Sequence, residues 1–102
     1  MKSFRIEAIA QREFEEASAW YESQREGLGI ELIFEIDRVL QRISHAPSFA
    51  TAPIASIPDG QVRREFVERF PYVVVFVDGV YLRKVIMVRR GSSNPTRWRS
   101  RL

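Results

Sequence analysis

From Gln61 to Leu102 the chain reads as three apolar β-type runs separated by turns, and this commits its second half to a meander. The runs are 61–67, 72–77 and 80–89. The Asp78-Gly79 pair between the last two is a tight-hairpin signal, because both residues tolerate positive φ. Pro71 opens the middle run, where a missing N–H is tolerated. The segment is also basic: ten Lys or Arg against three acids, a net charge of +7. The other sixty residues hold six bases and ten acids, a net −4, so the overall +3 hides a dipolar chain. A basic sheet joined to an acidic half suggests an anionic partner.

The acidic half has helical periodicity. Residues 3–9 alternate, with Phe4, Ile6 and Ala8 on one side, and form a short half-buried strand. From Ala10 to Glu26 the stripe Ala10, Phe14, Ala17 and Tyr21 has helical spacing, with Glu13, Glu15 and Glu16 placed near the positive end of the helix dipole. Gly27 and Gly29 break the pattern, and a second helix starts near Ile30 with the wide apolar face Leu32, Ile33, Ile36, Val39, Leu40 and Ile43. It stops near His45, because Pro47 disfavours helix at the residue before it. Two helices with so short a break form an antiparallel hairpin. Residues 46–60, with Pro47, Pro53 and Pro58, read as a loop pinned to the core by Phe49, Ile54 and Ile57. The order is β-α-α-β-β-β. The class is α+β: a small, twisted, mostly antiparallel sheet packed on one face by a helical hairpin, in one domain over residues 1–102.

The chain has no cysteine, so disulfides and thiol chemistry are excluded. No apolar run approaches the ~18 residues of a membrane span, and the N-terminus lacks the apolar stretch of a signal peptide. The expectation is a cytoplasmic protein with no membrane role. No Cys/His set or carboxylate pattern marks a metal site, and no phosphate-loop or nucleophile motif is present, so neither a cofactor nor a metal is expected. His45, the single histidine, falls at a helix C-terminus and suits the dipole there.

The arginines carry whatever function there is. Alternation puts Arg83 and Arg89 with Tyr81, Val85 and Met87 on one face of the last strand; Lys84 and Arg90 share the other with Val80, Leu82, Ile86 and Val88. The second, more aliphatic set is expected under the helices. On the first meander strand Arg64 lies with Val62 and Phe66, and Arg63 with Glu65. The face away from the helices is then expected to be basic and aromatic, either an anion-binding surface or a solvated one whose charges protect the sheet from aggregation. Trp98 has two readings as well: it folds back over an open end of the core, or it stands beside Arg97, Arg99 and Arg101 as a contact residue.

Several short motifs together resemble ParE-type members of the RelE/ParE toxin superfamily. They are Glu16-Ala17 with Trp20-Tyr21, the Gly27-Leu28-Gly29 break, Phe34-Glu35-Ile36, Leu40 and Ile43 with Pro47, Val62-Arg63-Arg64, Phe70-Pro71-Tyr72, and Pro95 with Trp98 and Arg101. The resemblance covers essentially the whole chain. It implies the toxin of a bacterial type II toxin–antitoxin (plasmid stabilisation) operon, neutralised by an antitoxin whose C-terminal segment wraps it. ParE-type members are associated with inhibition of DNA gyrase, and RelE-type members are ribosome-dependent mRNA endonucleases. Arg90 stands where ParE-like chains often have histidine, and Ser93 where they carry arginine. Glu68 stands where an endonuclease would place a catalytic arginine, and Trp98 where it would favour tyrosine. The resemblance therefore implies a protein-binding toxin with no catalytic residues, contacting its target and partner through Arg64, Arg83, Arg89, Arg90, Arg97, Trp98, Arg99 and Arg101. The endonuclease alternative would use Arg63, Arg64, Arg89 or Arg90 on the phosphate and Tyr72 or Tyr81 for proton transfer, on ribosome-bound mRNA. A degenerate, non-toxic antitoxin binder is a third reading.

Overall fold

The computed structural model describes residues 2–102. Strand β1 (Ser3–Ile6) leads into helices α1 (Ala8–Gln24) and α2 (Leu28–His45). Strands β2 (Ala55–Ile57), β3 (Gly60–Phe66), β4 (Tyr72–Gly79) and β5 (Leu82–Arg90) follow, and a 3₁₀ turn (Arg97–Arg101) ends the chain. The five strands form one sheet in the order β1-β5-β4-β3-β2. Only β1 runs parallel to its neighbour, β5; the other pairs are antiparallel. The α+β class and the element order expected from the sequence stand, with β2 as an added edge strand in the stretch expected to be loop. Gly60 permits that edge: it sits at φ 151° directly against Gly79, and a Cβ on it would lie 2.3 Å from the Asp78 carbonyl.

The helical hairpin covers one face. Ala10 and Ala17 of α1 and Leu32, Ile36, Val39, Leu40 and Ile43 of α2 pack on Tyr72, Val74, Phe76, Val85 and Val88. Tyr21 meets Phe70 and Tyr72 edge-on, with ring centroids 5.1 and 6.1 Å apart. Phe49 pins the 46–54 segment against Phe76, as expected, at 5.2 Å.

Both helices begin two residues earlier than their periodicity suggested. Helix α1 starts at Ala8, so Glu13, Glu15 and Glu16 lie beyond its first turn and do not serve its dipole. Helix α2 starts at Leu28, so Gly29 lies inside it rather than breaking it. Gly27, at φ 88°, makes the break alone. Glu22 of α1 supplies the missing signal. Its carboxylate accepts the Gly27 and Gly29 N–H groups, both at 2.9 Å, and so satisfies donors that every helix start leaves free. Gly29 is needed for contact. A Cβ there would fall 2.5 Å from the Ser18 carbonyl. Gly29→Ala is expected to wedge the helices apart and destabilise the fold by roughly 1–3 kcal/mol, read as a lower urea midpoint with an unchanged slope.

Two details of the β4–β5 hairpin depart from the sequence pattern. The two-residue connection is Val80-Tyr81, not Asp78-Gly79; both of those stay in β4, with Asp78 opposite Arg83. The Asp78 carboxylate is held by Lys2 at 2.8 Å, Arg83 at 3.0 Å and Arg63 at 3.5 Å, which fixes that pair inside the ladder. Further along, Val75 pairs with Met87 but Phe76 with Val85, leaving Ile86 as the extra residue of a bulge. The bulge resets the alternation of β5. Val85 and Val88 face the helices while Ile86 and Met87 face away, so the set Val80, Leu82, Ile86 and Val88 does not share a face.

Candidate functional site

The face away from the helices is aliphatic at its centre. Val62, Val73, Val75, Val77, Ile86 and Met87 form it, with Ile54, Ala55 and Ile57 against one side. Trp98 lies on it and is buried. Of its two readings, the fold-back one describes its position. The basic, aromatic surface expected here is reduced to a rim: Arg64 lies over the exposed Phe66 ring at 5.4 Å, with Arg89 in the row beside it.

Arg83 is a core residue. It faces the helices, 4.6 Å from the Phe49 ring, and donates to the carbonyls of Ile43, Ala46 and Pro47, closing the end of α2. Arg63 is held from both sides by Asp78, Gln61 and the Thr51 carbonyl. Arg101 plugs the sheet edge that β1 leaves open. It donates to the Ile86 carbonyl and to both Glu13 oxygens, while Glu13 accepts the Val88 N–H at 3.0 Å. Glu13 is the residue that sequence reasoning misplaced; a carboxylate in mid-helix on the sheet-facing side was the available signal. Arg99 stays exposed over the Trp98 ring at 5.4 Å. His45 is exposed at the end of α2, its Nδ1 within reach of Ser44 Oγ and the Gln41 carbonyl.

The remaining arginines converge at the carboxyl end of β5. There Glu13, Glu16, Ala17 and Trp20 of α1 face Tyr72, Val88, Arg89 and Arg90, with Ser92, Ser93 and Arg97, around a concavity of about 410 Å³. Arg89 is buried; its Nη1 donates to the carbonyls of Arg90, Gly91 and Ser93, shaping the 91–93 turn, and its Nε has no partner. Burial, and then the nearby Arg64 and Arg97 charges, hold its pKa below the usual guanidinium range. Arg90 is exposed and lies 5.9 Å from the rings of both Trp20 and Tyr72. Tyr72 is buried, and burial, followed by Tyr21, raises its pKa above the ordinary phenol value although Arg90 opposes the shift. Among the described residues no group of three or more His, Cys, Asp or Glu could hold a metal ion.

Arg89, Arg90 and Arg97 thus gather at the carboxyl end of β5, with Arg64 near Arg89 on the face away from the helices. Arg83, Arg101 and Trp98 are built into the structure, and Arg99 stands apart. Of the residues expected for phosphodiester cleavage, Arg63 and Tyr72 face the helices and Arg64 lies on the opposite side, while Arg90 lies 5.9 Å from the Tyr72 ring.

No family model and no curated protein matches this chain. A solved chain described as "Chromosomal ParDE TA system from P. aeruginosa" superposes with a TM-score of 0.73 at 14% identity, covering 88% of this chain and 96% of that one. At this identity the likeness is one of fold. No helix among the described residues is long and apolar enough to cross a membrane.

Proposed function

We propose that this chain is a ParE-like toxin of a bacterial type II toxin–antitoxin system, acting by binding DNA gyrase in the cytoplasm and neutralised by a cognate antitoxin. The fold it shares with the ParDE chain carries the reading, because it agrees with the whole-chain motif resemblance drawn from different data. The site supports it further. Arg90 and Arg97, exposed on the lining of the concavity, form a charged contact surface with no histidine beside them, which suits binding better than bond cleavage. The endonuclease reading draws less support, since Arg63 is held by Asp78 and burial raises the Tyr72 pKa, keeping the phenol protonated and unavailable as a base.

The antitoxin would have two chemically different surfaces to cover. Residues 8–45 carry eight acids and four bases, and Ile9, Ile30, Ile33 and Phe34 stand exposed on the helices. An apolar segment with basic flanks fits the hairpin, and an acidic segment fits the end of β5.

The test is induced expression in bacteria with a supercoiling assay on purified gyrase. Growth arrest and loss of supercoiling are expected, weakened at least tenfold in the Arg90→Ala, Arg97→Ala double variant, whose two positions are exposed. Normal growth with normal supercoiling would sink the toxin reading. Arrest with intact supercoiling and cleaved mRNA would transfer it to the endonuclease.

A further inference from the structure

We infer that the C-terminal 3₁₀ turn is a strap over an otherwise open sheet edge. Glu13 and Arg101 are its clasp, standing in for a missing strand and keeping a second copy of this chain from pairing there. The need for a clasp follows from a mismatch in length. Strand β1 has four residues and β5 has nine. Their parallel pairing spans residues 82–85, and the Glu7 N–H makes one further backbone contact, on the Val85 carbonyl. Among the described residues, no strand lies beside residues 86–90 on that side. A row of free N–H and C=O groups at such an edge is a template for strand pairing between molecules. Helix α1 does not fill the space, since a concavity of about 410 Å³ lies between it and Val88 and Arg90.

The clasp supplies what a neighbouring strand would: one donor and one acceptor, two residues apart along β5. Arg101 Nη1 donates to the Ile86 carbonyl at 2.9 Å, and Glu13 Oε1 accepts the Val88 N–H at 3.0 Å. The two side chains hold each other through both guanidinium Nη atoms, at 2.6 and 2.8 Å. Such bidentate pairing is the strong, directional form of a carboxylate–arginine contact. The side chains of Arg101 and Glu13 are 15% and 19% exposed, which limits screening by salt. Trp98, on the same turn, lies on the aliphatic face away from the helices, so the turn carries the chain around the rim of the sheet towards α1. A charge directed at an edge and a bulge that twists it both oppose strand addition. The bulge at Ile86 begins where the β1 pairing ends. The opposite edge is blunted differently: β2 has three residues, between Pro53 and Pro58. Neither the strap nor its test depends on the toxin reading.

The test is sedimentation velocity on the full-length protein over a wide concentration range at constant ionic strength, with amide hydrogen exchange on the same samples. The Glu13→Ala, Arg101→Ala double variant is expected to self-associate at least tenfold more tightly than wild type, and its association to protect amides in residues 86–90. Arg101→Ala alone, next to the chain end, should show the same effect and covers the case in which the double variant fails to fold. Arg99→Ala removes the same charge from an exposed neighbour and should behave as wild type. Association unchanged in Arg101→Ala, equal association in Arg99→Ala, or protection gained at residues 55–57 in place of 86–90 would each overturn the proposal.

Discussion

Trp98→Ala is expected to destabilise the protein by about 3–5 kcal/mol, the usual cost of truncating a buried tryptophan. The ring is 5% exposed and rests on the aliphatic face that includes Val75, Ile86 and Met87. Its loss uncovers the one side of the sheet that has no helices. Urea unfolding checks it: the midpoint should fall sharply, and Trp98→Phe should recover most of the loss. A midpoint unchanged in the alanine variant would mean that the tail is not docked in solution. The 3₁₀ turn also carries Arg97 and Arg101, so undocking it should loosen both the β5 edge and the arginine-lined concavity.

Asp78→Asn should have a comparable effect, about 3 kcal/mol at pH 7, because removing one partner from a buried ionic group leaves the rest uncompensated. The side chains of Arg83 and Arg63 are only 5% and 12% exposed, and Lys2 joins them. Burial alone would raise the Asp78 pKa, but the hydrogen bonds from Lys2 and Arg83 outweigh it and hold the carboxyl below its ordinary value. A carboxyl with a lowered folded-state pKa stabilises the fold above the unfolded value, near pH 4. That contribution is lost as pH falls through the folded value. The stability gap between wild type and Asp78→Asn should therefore be full at pH 7 and close below about pH 4. Urea midpoints at pH 7, 5 and 3 measure it; a gap that widens on acidification would contradict the assignment.

The fold was largely legible in the sequence because its two halves differ in period. Ala10, Phe14, Ala17 and Tyr21 could only line a helix, and the aliphatic runs after Gln61 could only be strands. Glycines and prolines located most breaks, but not the strand hidden in the 55–57 stretch, whose pairing depends on Val62 and Gly60 across from it. The site was less legible. The family resemblance implied eight residues contacting target and partner. Arg83, Arg101 and Trp98 turn out to cap a helix, plug a sheet edge and cover a face. Arg89, Arg90 and Arg97 do meet, across a turn whose shape depends on Arg89 itself.

The amino-acid sequence by itself determined the element order, the α+β class and the split into an acidic hairpin and a basic sheet, since these follow from local period and composition. Only the tertiary structure decided which arginines face solvent. One extra residue at the Ile86 bulge inverts the alternation of β5, and long-range partners (Asp78 for Arg83, Glu13 for Arg101) take up cations that local pattern leaves free. A side chain's face depends on ladder register, and its freedom depends on what the fold brings opposite it; neither quantity is local.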